Sequence, residues 1–306
     1  MISLNQQHLG ALLVVASAAG FATLPIFIKI AYAAGANTLT VLTLRFMLAA
    51  LFLWIILIPL GISPRITVKN AIKLCLMGII GYGSMSFLFA TSLQYLSASL
   101  AEMLLFTYPI LVSILSFAMG DEKFNWQKGT ALLICVAGLF LILGVSLTNI
   151  SQLGIALGLG SAIVYSCYIM ISKSVLKNIH SLVATTYVCS AAALFFTAYT
   201  WKTEQLILAL PTVGWLALLG IASFGTIVGI LGFFAGLSKI GVSNASIIST
   251  AEPVIAVLFS VAMLGEHLTL LQTVGGILIV ASILVLQLCT EKNIELSTTP
   301  YQLLDK

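Results

Sequence analysis

Charge is scarce in this chain. Its 306 residues include 13 Lys and Arg and 9 Asp and Glu, 7% in all, against about 25% in soluble domains. So little charge cannot cover a water-facing surface of this size. A soluble enzyme, a nucleic-acid-binding protein and a disordered chain are therefore excluded. The net charge of +4 is small and spread over loops, so no nucleic-acid partner is expected. Five cysteines (Cys75, Cys135, Cys167, Cys189 and Cys289) sit inside apolar runs and form no CxxC. They read as small buried hydrophobes rather than a disulfide set or metal site. His8, His180 and His267 are scattered across loops and ends. The sequence contains no GxxxxGK[ST], HExxH or GxSxG, so it offers no ATP-driven motor and no intramembrane hydrolase. No cofactor is called for.

Hydrophobic residues make up 60% of the chain. They fall into apolar runs at about 9–31, 37–59, 72–92, 97–119, 129–147, 153–172, 181–200, 213–236, 243–264 and 269–289. Each is long enough to cross about 30 Å of hydrocarbon as a helix. The runs are continuous and do not alternate, which argues against a β-barrel. The first contains Pro25 and ends with Lys29, without a cleavage pattern of small residues, and reads as a retained span. The expected fold is an all-α membrane protein with ten transmembrane helices. Short loops make neighbouring helices antiparallel. Arg65, Lys69, Lys73, Lys123, Lys128, Lys173, Lys177, Lys239, Lys292 and Lys306 fall on one side, against Lys29 and Lys202 on the other. That asymmetry places both termini in the cytoplasm. Trp126, Trp201 and Trp215 fall at span ends, where an interfacial belt would put them.

The two halves align at a constant offset of 144. Leu9, Gly10, Leu13, Ser17, Ala18 and Lys29 match Leu153, Gly154, Leu157, Ser161, Ala162 and Lys173. Between 93–126 and 237–270, Leu93, Ser99, Ala101, Pro109, Ser116, Ala118, Met119 and Glu122 match Leu237, Ser243, Ala245, Pro253, Ser260, Ala262, Met263 and Glu266. Composition alone would give about three identities over such a stretch, so an internal repeat is the reading. Its units are 9–147 and 153–289, followed by a cytoplasmic tail, 290–306. Five spans per unit is an odd number, so the second unit enters the membrane from the opposite side. Inverted repeats of this kind place a substrate near the midplane between them.

At Leu105-Phe106-Thr107-Tyr108-Pro109-Ile110-Leu111-Val112, Ala251-Glu252-Pro253-Val254-Ile255-Ala256, Gly265-Glu266, Gly275-Gly276 and Leu44-Arg45-Phe46, the chain resembles the EamA family of the drug/metabolite transporter superfamily. The resemblance covers roughly 9–290, as two EamA repeats. It implies a ten-helix inverted-repeat transporter of the inner or plasma membrane. It also implies a central cavity lined mainly by spans one, three, four, six, eight and nine. One departure stands out: the repeat partner of Arg45 is Cys189.

Ionisable groups within a bilayer are functional candidates by default, and three fall inside spans: Arg45, Glu102 and Glu252. Glu252 is expected about 14 Å into its helix, beside Ser249 and Pro253. It is a candidate for substrate or proton binding, or a packing residue. Arg45 and Glu102 lie at about 12 Å and 8 Å depth. Their similar depths predict an ion pair that either joins two helices or forms an outer gate. Lys29 and Lys173 are expected to snorkel to the headgroups. Pro25, Pro109 and Pro253 interrupt spans one, four and nine, and interrupted helices mark transport sites when they are not simple kinks. Phe21, Tyr82, Phe87, Phe106, Tyr108, Tyr165 and Phe233 line a cavity for an apolar or aromatic metabolite if they face inward. The pairs Gly154/Gly158, Gly225/Gly229 and Gly232/Gly236 are GxxxG motifs for close helix approach, within the bundle or in a dimer.

The expected function is secondary transport of a small organic metabolite, such as an amino acid or drug-like solute, by an exporter or exchanger. A metabolite uptake permease, or a membrane-embedded binding or regulatory protein without transport, are the alternatives. The expected partners are that small-molecule substrate, the lipid bilayer and, if transport is coupled to them, protons; the chain is a monomer or homodimer. The topology is testable by introducing single cysteines. Positions near Lys69, Lys123 and Lys177 should label only from the cytoplasm, and positions near Thr148 and Lys202 only from outside. Labelling of the Lys69 and Lys202 regions from one side contradicts the odd-span repeat.

Overall fold

The computed structural model describes residues 4–119, 126–144, 151–175, 179–249 and 251–285. The expected tail, Cys289 and Glu122 lie outside the described residues. Among those described, every regular element is helical. The first half comprises α1 (Leu4–Ala22), α2 (Leu24–Ala33), α3 (Thr38–Leu57), α4 (Val68–Leu76), α5 (Ser84–Ser92), α6 (Ala98–Leu105), α7 (Tyr108–Ala118) and α8 (Trp126–Gly144). The second comprises α9 (Gln152–Val175), α10 (Ser181–Thr203), α11 (Thr212–Ala222), α12 (Gly229–Ser249), α13 (Ala251–Leu264) and α14 (Leu270–Val285).

Seven helical runs are long and apolar enough to cross a membrane. Gly129–Gly138, Ala251–Leu264 and Leu270–Val285 are shorter apolar helices, standing where the fifth, ninth and tenth runs were expected. The expected loop at Lys239 is absent: helical backbone continues from Thr212 to Ser249. No proline occurs between Pro211 and Pro253, so nothing in that stretch removes a backbone donor. Residues 243–249, the start of the ninth apolar run, thereby belong to α12.

The helices pair in a pattern that survives exchange of the two halves. The first span (α1, α2) packs on α11 and α12, and its counterpart α9 packs on α5. The second span, α3, packs on its own counterpart α10, and α6 packs on α13. α1 also meets α13, as α9 meets α6 and α7. Both halves carry a π-helical turn at corresponding places, Met77–Gly83 between α4 and α5 and Ser223–Val228 between α11 and α12. In each turn a hydroxyl reaches the carbonyl five residues back: Ser84 to Ile79 at 3.4 Å and Thr226 to Ile221 at 3.0 Å.

The GxxxG motifs serve packing within the chain. A Cβ on Gly232 or Gly236 would stand 2.9 and 2.7 Å from the carbonyl oxygens of Leu13 and Gly10 on α1. Only glycine lets the α1 and α12 backbones approach this closely. Gly158, Gly225 and Gly229 likewise press on side chains of other helices of the same chain, Leu104, Leu24 and Phe21, and Gly154 on Tyr95 and Leu96 in the turn before α6.

Gly265 ends α13 in a left-handed conformation (φ +64°), which glycine adopts without steric cost. The turn carries Glu266 to the start of α6. There its carboxylate accepts hydrogen bonds from the Ala98 amide at 2.6 Å, the Ser99 amide at 3.1 Å and the Ser99 hydroxyl at 2.8 Å. Ser97 caps the next amide, Leu100, at 3.2 Å. The orphan donors of this helix start are therefore satisfied, and a negative charge faces the positive end of its dipole. Lys29 does not reach for headgroups: its Nζ lies 3.9 Å from Glu266 Oε1, the one ion pair among the described residues. Side-chain placement for Lys173 lies outside the described residues. One carboxylate thus ties the ends of α2, α6 and α13 together.

The hydrogen bonds to the helix start, rather than the ion pair, should dominate this junction. Glu266→Ala is expected to cost about 2 kcal/mol or more. Lys29→Met, which removes a partly exposed charge at long range, is expected to cost less than about 1 kcal/mol. Thermal unfolding in detergent checks both; equal losses contradict this assignment.

Candidate functional site

The first span breaks between α1 and α2, and the fourth between α6 and α7. Both breaks share one local chemistry. Thr23 and Thr107 each stand two residues before a proline, Pro25 and Pro109. Each hydroxyl donates to the carbonyl three residues back, Thr23 to Gly20 at 2.6 Å and Thr107 to Leu104 at 2.7 Å. Proline has no amide to offer the carbonyl four residues earlier, here Phe21 and Leu105. Both of those residues line a cavity of about 150 Å³.

The cavity lies where the two halves meet. Phe21 and Leu24 come from the first span and Arg45 from α3. Tyr82, Met85, Ser86 and Phe89 come from the third span, Glu102, Leu105, Phe106 and Tyr108 from the fourth. Tyr165 of α9 and Glu252 of α13 complete the lining. Eight residues singled out from the sequence therefore converge: Phe21, Arg45, Tyr82, Glu102, Phe106, Tyr108, Tyr165 and Glu252. The span assignment needs one correction. Among the described residues the eighth span contributes no lining residue and the second contributes Arg45; α12 turns its glycine face to α1, while α3 stands beside Tyr82.

Four expected lining residues lie elsewhere. Pro253 is buried at a separate apolar crevice with Met103 and Val257. Phe87 lies on an exposed groove with Phe195 and Tyr199. Pro109 sits in the first turn of α7 and Phe233 on α12, both half-buried and off the cavity wall. Glu252 is the second residue of α13 (Ala251–Leu264); its expected depth within a longer helix turns on residue 250, which lies outside the described residues.

The expected direct pair between Arg45 and Glu102 is not formed. Both are buried, yet Arg45 Nη2 donates to Tyr82 Oη at 3.1 Å. Its guanidinium lies 5.3 and 5.9 Å from the centroids of Phe46 and Tyr82. The ring faces attract the cation and hold it on Tyr82, away from α6. Aromatic contacts run on around the wall. Phe106 meets Tyr108 at 5.8 Å between centroids, Tyr108 meets Tyr165 at 4.7 Å, and Tyr168 links Tyr165 to Tyr82 at 6.0 and 5.8 Å. Sequence reasoning missed Leu24, Met85, Ser86, Phe89 and Leu105. Three of these follow Tyr82 at helical spacing and could have been found by extending its face (82, 85, 86, 89). No metal-holding group of His, Cys, Asp or Glu occurs among the described residues.

Comparison with known proteins agrees with this architecture. The EamA-like transporter family matches residues 8–144 and again 152–288, the same offset of 144 that relates the halves. The chain belongs to the EamA-like transporter family. Its relatives include the uncharacterized transporter YcbK of Bacillus subtilis, 28% identical over 267 residues, covering 83% of this chain and 85% of that protein. An uncharacterized transporter of Archaeoglobus fulgidus is 28% identical over 241 residues, covering 78% of this chain and 84% of its own. A solved crystal structure covers 92% of the chain and 98% of its own length with a TM-score of 0.66 at 16% identity, a likeness of fold. This EamA-like chain is therefore a multi-pass integral membrane protein of a transporter family, built from two repeats.

Proposed function

We propose that this EamA-like protein is a secondary transporter of a small organic solute, an exporter or exchanger of the inner membrane working by alternating access. In this reading the seven long helices and three shorter apolar ones are ten spans. The units 9–147 and 153–289 are inverted copies, and both termini are cytoplasmic. One observation carries the reading: Arg45, Glu102 and Glu252 converge on a cavity between the repeats, inside an otherwise apolar bundle. Charged groups at membrane depth are retained where they face a pathway. Two of the helices around that pathway, the first and fourth spans, are broken, which supports movement there. The Glu266 junction holds the ends of α2, α6 and α13 together, and we assign it as the closed gate of this state. In the opposite state it opens.

Glu252 is proposed as the site at which a coupling proton loads in one facing state and leaves in the other. Flux of a metabolite panel into proteoliposomes tests transport itself; no flux for any solute favours a binding protein without transport. With a transported solute in hand, Glu252→Gln is expected to keep counter-exchange and lose acceleration by a pH gradient. A mutant whose net flux still follows the gradient removes Glu252 from coupling. A wild type indifferent to the gradient shows facilitated, uncoupled transport.

A further inference from the structure

Arg45 is only 4% exposed and Ser86 only 1%. Arginine keeps its charge in any protein environment, so a full positive charge is buried at this depth. Its Nη2–H is taken by Tyr82, but its Nε has no acceptor, and neither has Ser86 Oγ a partner. These are the two buried side-chain polar atoms left unsatisfied among the described residues, and both belong to residues lining the same cavity. Ser86 follows Tyr82 by one helical turn, and Tyr82 holds Arg45. Tyr82 Oη, by accepting from Arg45, keeps its own hydrogen to donate. Three donors thus gather on one wall: a guanidinium N–H and two hydroxyls.

Each unsatisfied buried donor is costly, and one on a charged group more so. A ligand that repays these costs must bring acceptor atoms and a negative charge. The free Nε–H of Arg45 offers a charge-assisted hydrogen bond to one oxygen, and the Ser86 and Tyr82 hydroxyls can serve a second oxygen on the same group. A doubly charged phosphate is disfavoured, because Glu102 and Glu252 line the same small cavity. The rest of the wall is apolar and aromatic: Phe21, Leu24, Met85, Phe89 and Phe106.

We infer that Arg45, Tyr82 and Ser86 form the subsite for a carboxylate, and that the solute is a small monocarboxylate whose apolar body packs on the aromatic wall. This rests on the transport reading above and adds the chemistry of the solute. Arg45 supplies the charge and one oxygen contact. Ser86 and Tyr82 complete the second oxygen. Glu102 and Glu252 discriminate against a second negative charge.

The test is calorimetric binding to the purified protein, using acetate, butyrate, benzoate and phenylacetate, each against its own primary amide. At least one acid should bind more than about tenfold more tightly than its amide, the worth of a charge-assisted hydrogen bond. Ser86→Ala removes only a hydroxyl and should weaken that acid by about tenfold while leaving the amide unchanged. Arg45→Gln should abolish the preference; if that variant does not fold, Ser86→Ala still decides. The subsite is overturned if no acid binds, if every amide binds within about threefold of its acid, or if Ser86→Ala leaves the preference intact. Flux of solutes without selectivity for the acid overturns the subsite but keeps the transporter. Selective binding without any flux does the reverse.

Discussion

A peptide group in hydrocarbon has no water to bond with, so each N–H and C=O within the bilayer needs a partner from the protein. The architecture around the cavity follows from this constraint. A helix can be interrupted there only if the interruption is repaired locally. Thr23 and Thr107 repair theirs by placing a hydroxyl on a carbonyl of the preceding turn, just before Pro25 and Pro109. The third and eighth spans bulge without breaking, through π-helical turns that keep the backbone bonded and add a Ser84 or Thr226 hydroxyl. Irregular backbone therefore occurs where the protein encloses it or where it borders the cavity.

The same constraint sorts the charges. Glu266 is surrounded by donors, the first amides of α6, the Ser99 hydroxyl and Lys29, and joins the helices that carry them. Arg45 is only partly satisfied, by Tyr82 and by ring faces. Between them the two groups show how a bundle so poor in charge divides it. One cluster closes a junction of three helices, and the other leaves donors open towards a cavity where a ligand can complete them.

Much of this was legible in the residues. The apolar runs, the 144-residue offset and the intramembrane charges depend on composition and spacing, and the pairing of helices by exchange of halves follows from the repeat. The Arg45–Glu102 pair was not formed because depth along a helix says nothing about rotation around it, and Tyr82 competes for the guanidinium. The loop at Lys239 was expected from a dip in hydropathy, which does not break a helix without proline. Phe87 and Phe233 were grouped with the other aromatics by type alone, whereas facing is set by the neighbours of α5 and α12. Lys29 was expected at the headgroups because it stands near a span end. Its partner, Glu266, lies in the other repeat, brought back by the turn at Gly265.

The central claim is that the cavity between the repeats is a pathway reached in turn from either side of the membrane. Its most direct test uses a single cysteine at Leu105, a cavity-lining position outside the carboxylate subsite, in a chain with the five native cysteines replaced. In sealed vesicles of defined orientation, a small membrane-impermeant thiol reagent should modify this cysteine from each face, and a transported solute should slow both reactions. A cysteine that is unreactive from both faces, or reactive from one alone whatever solute is present, contradicts the account.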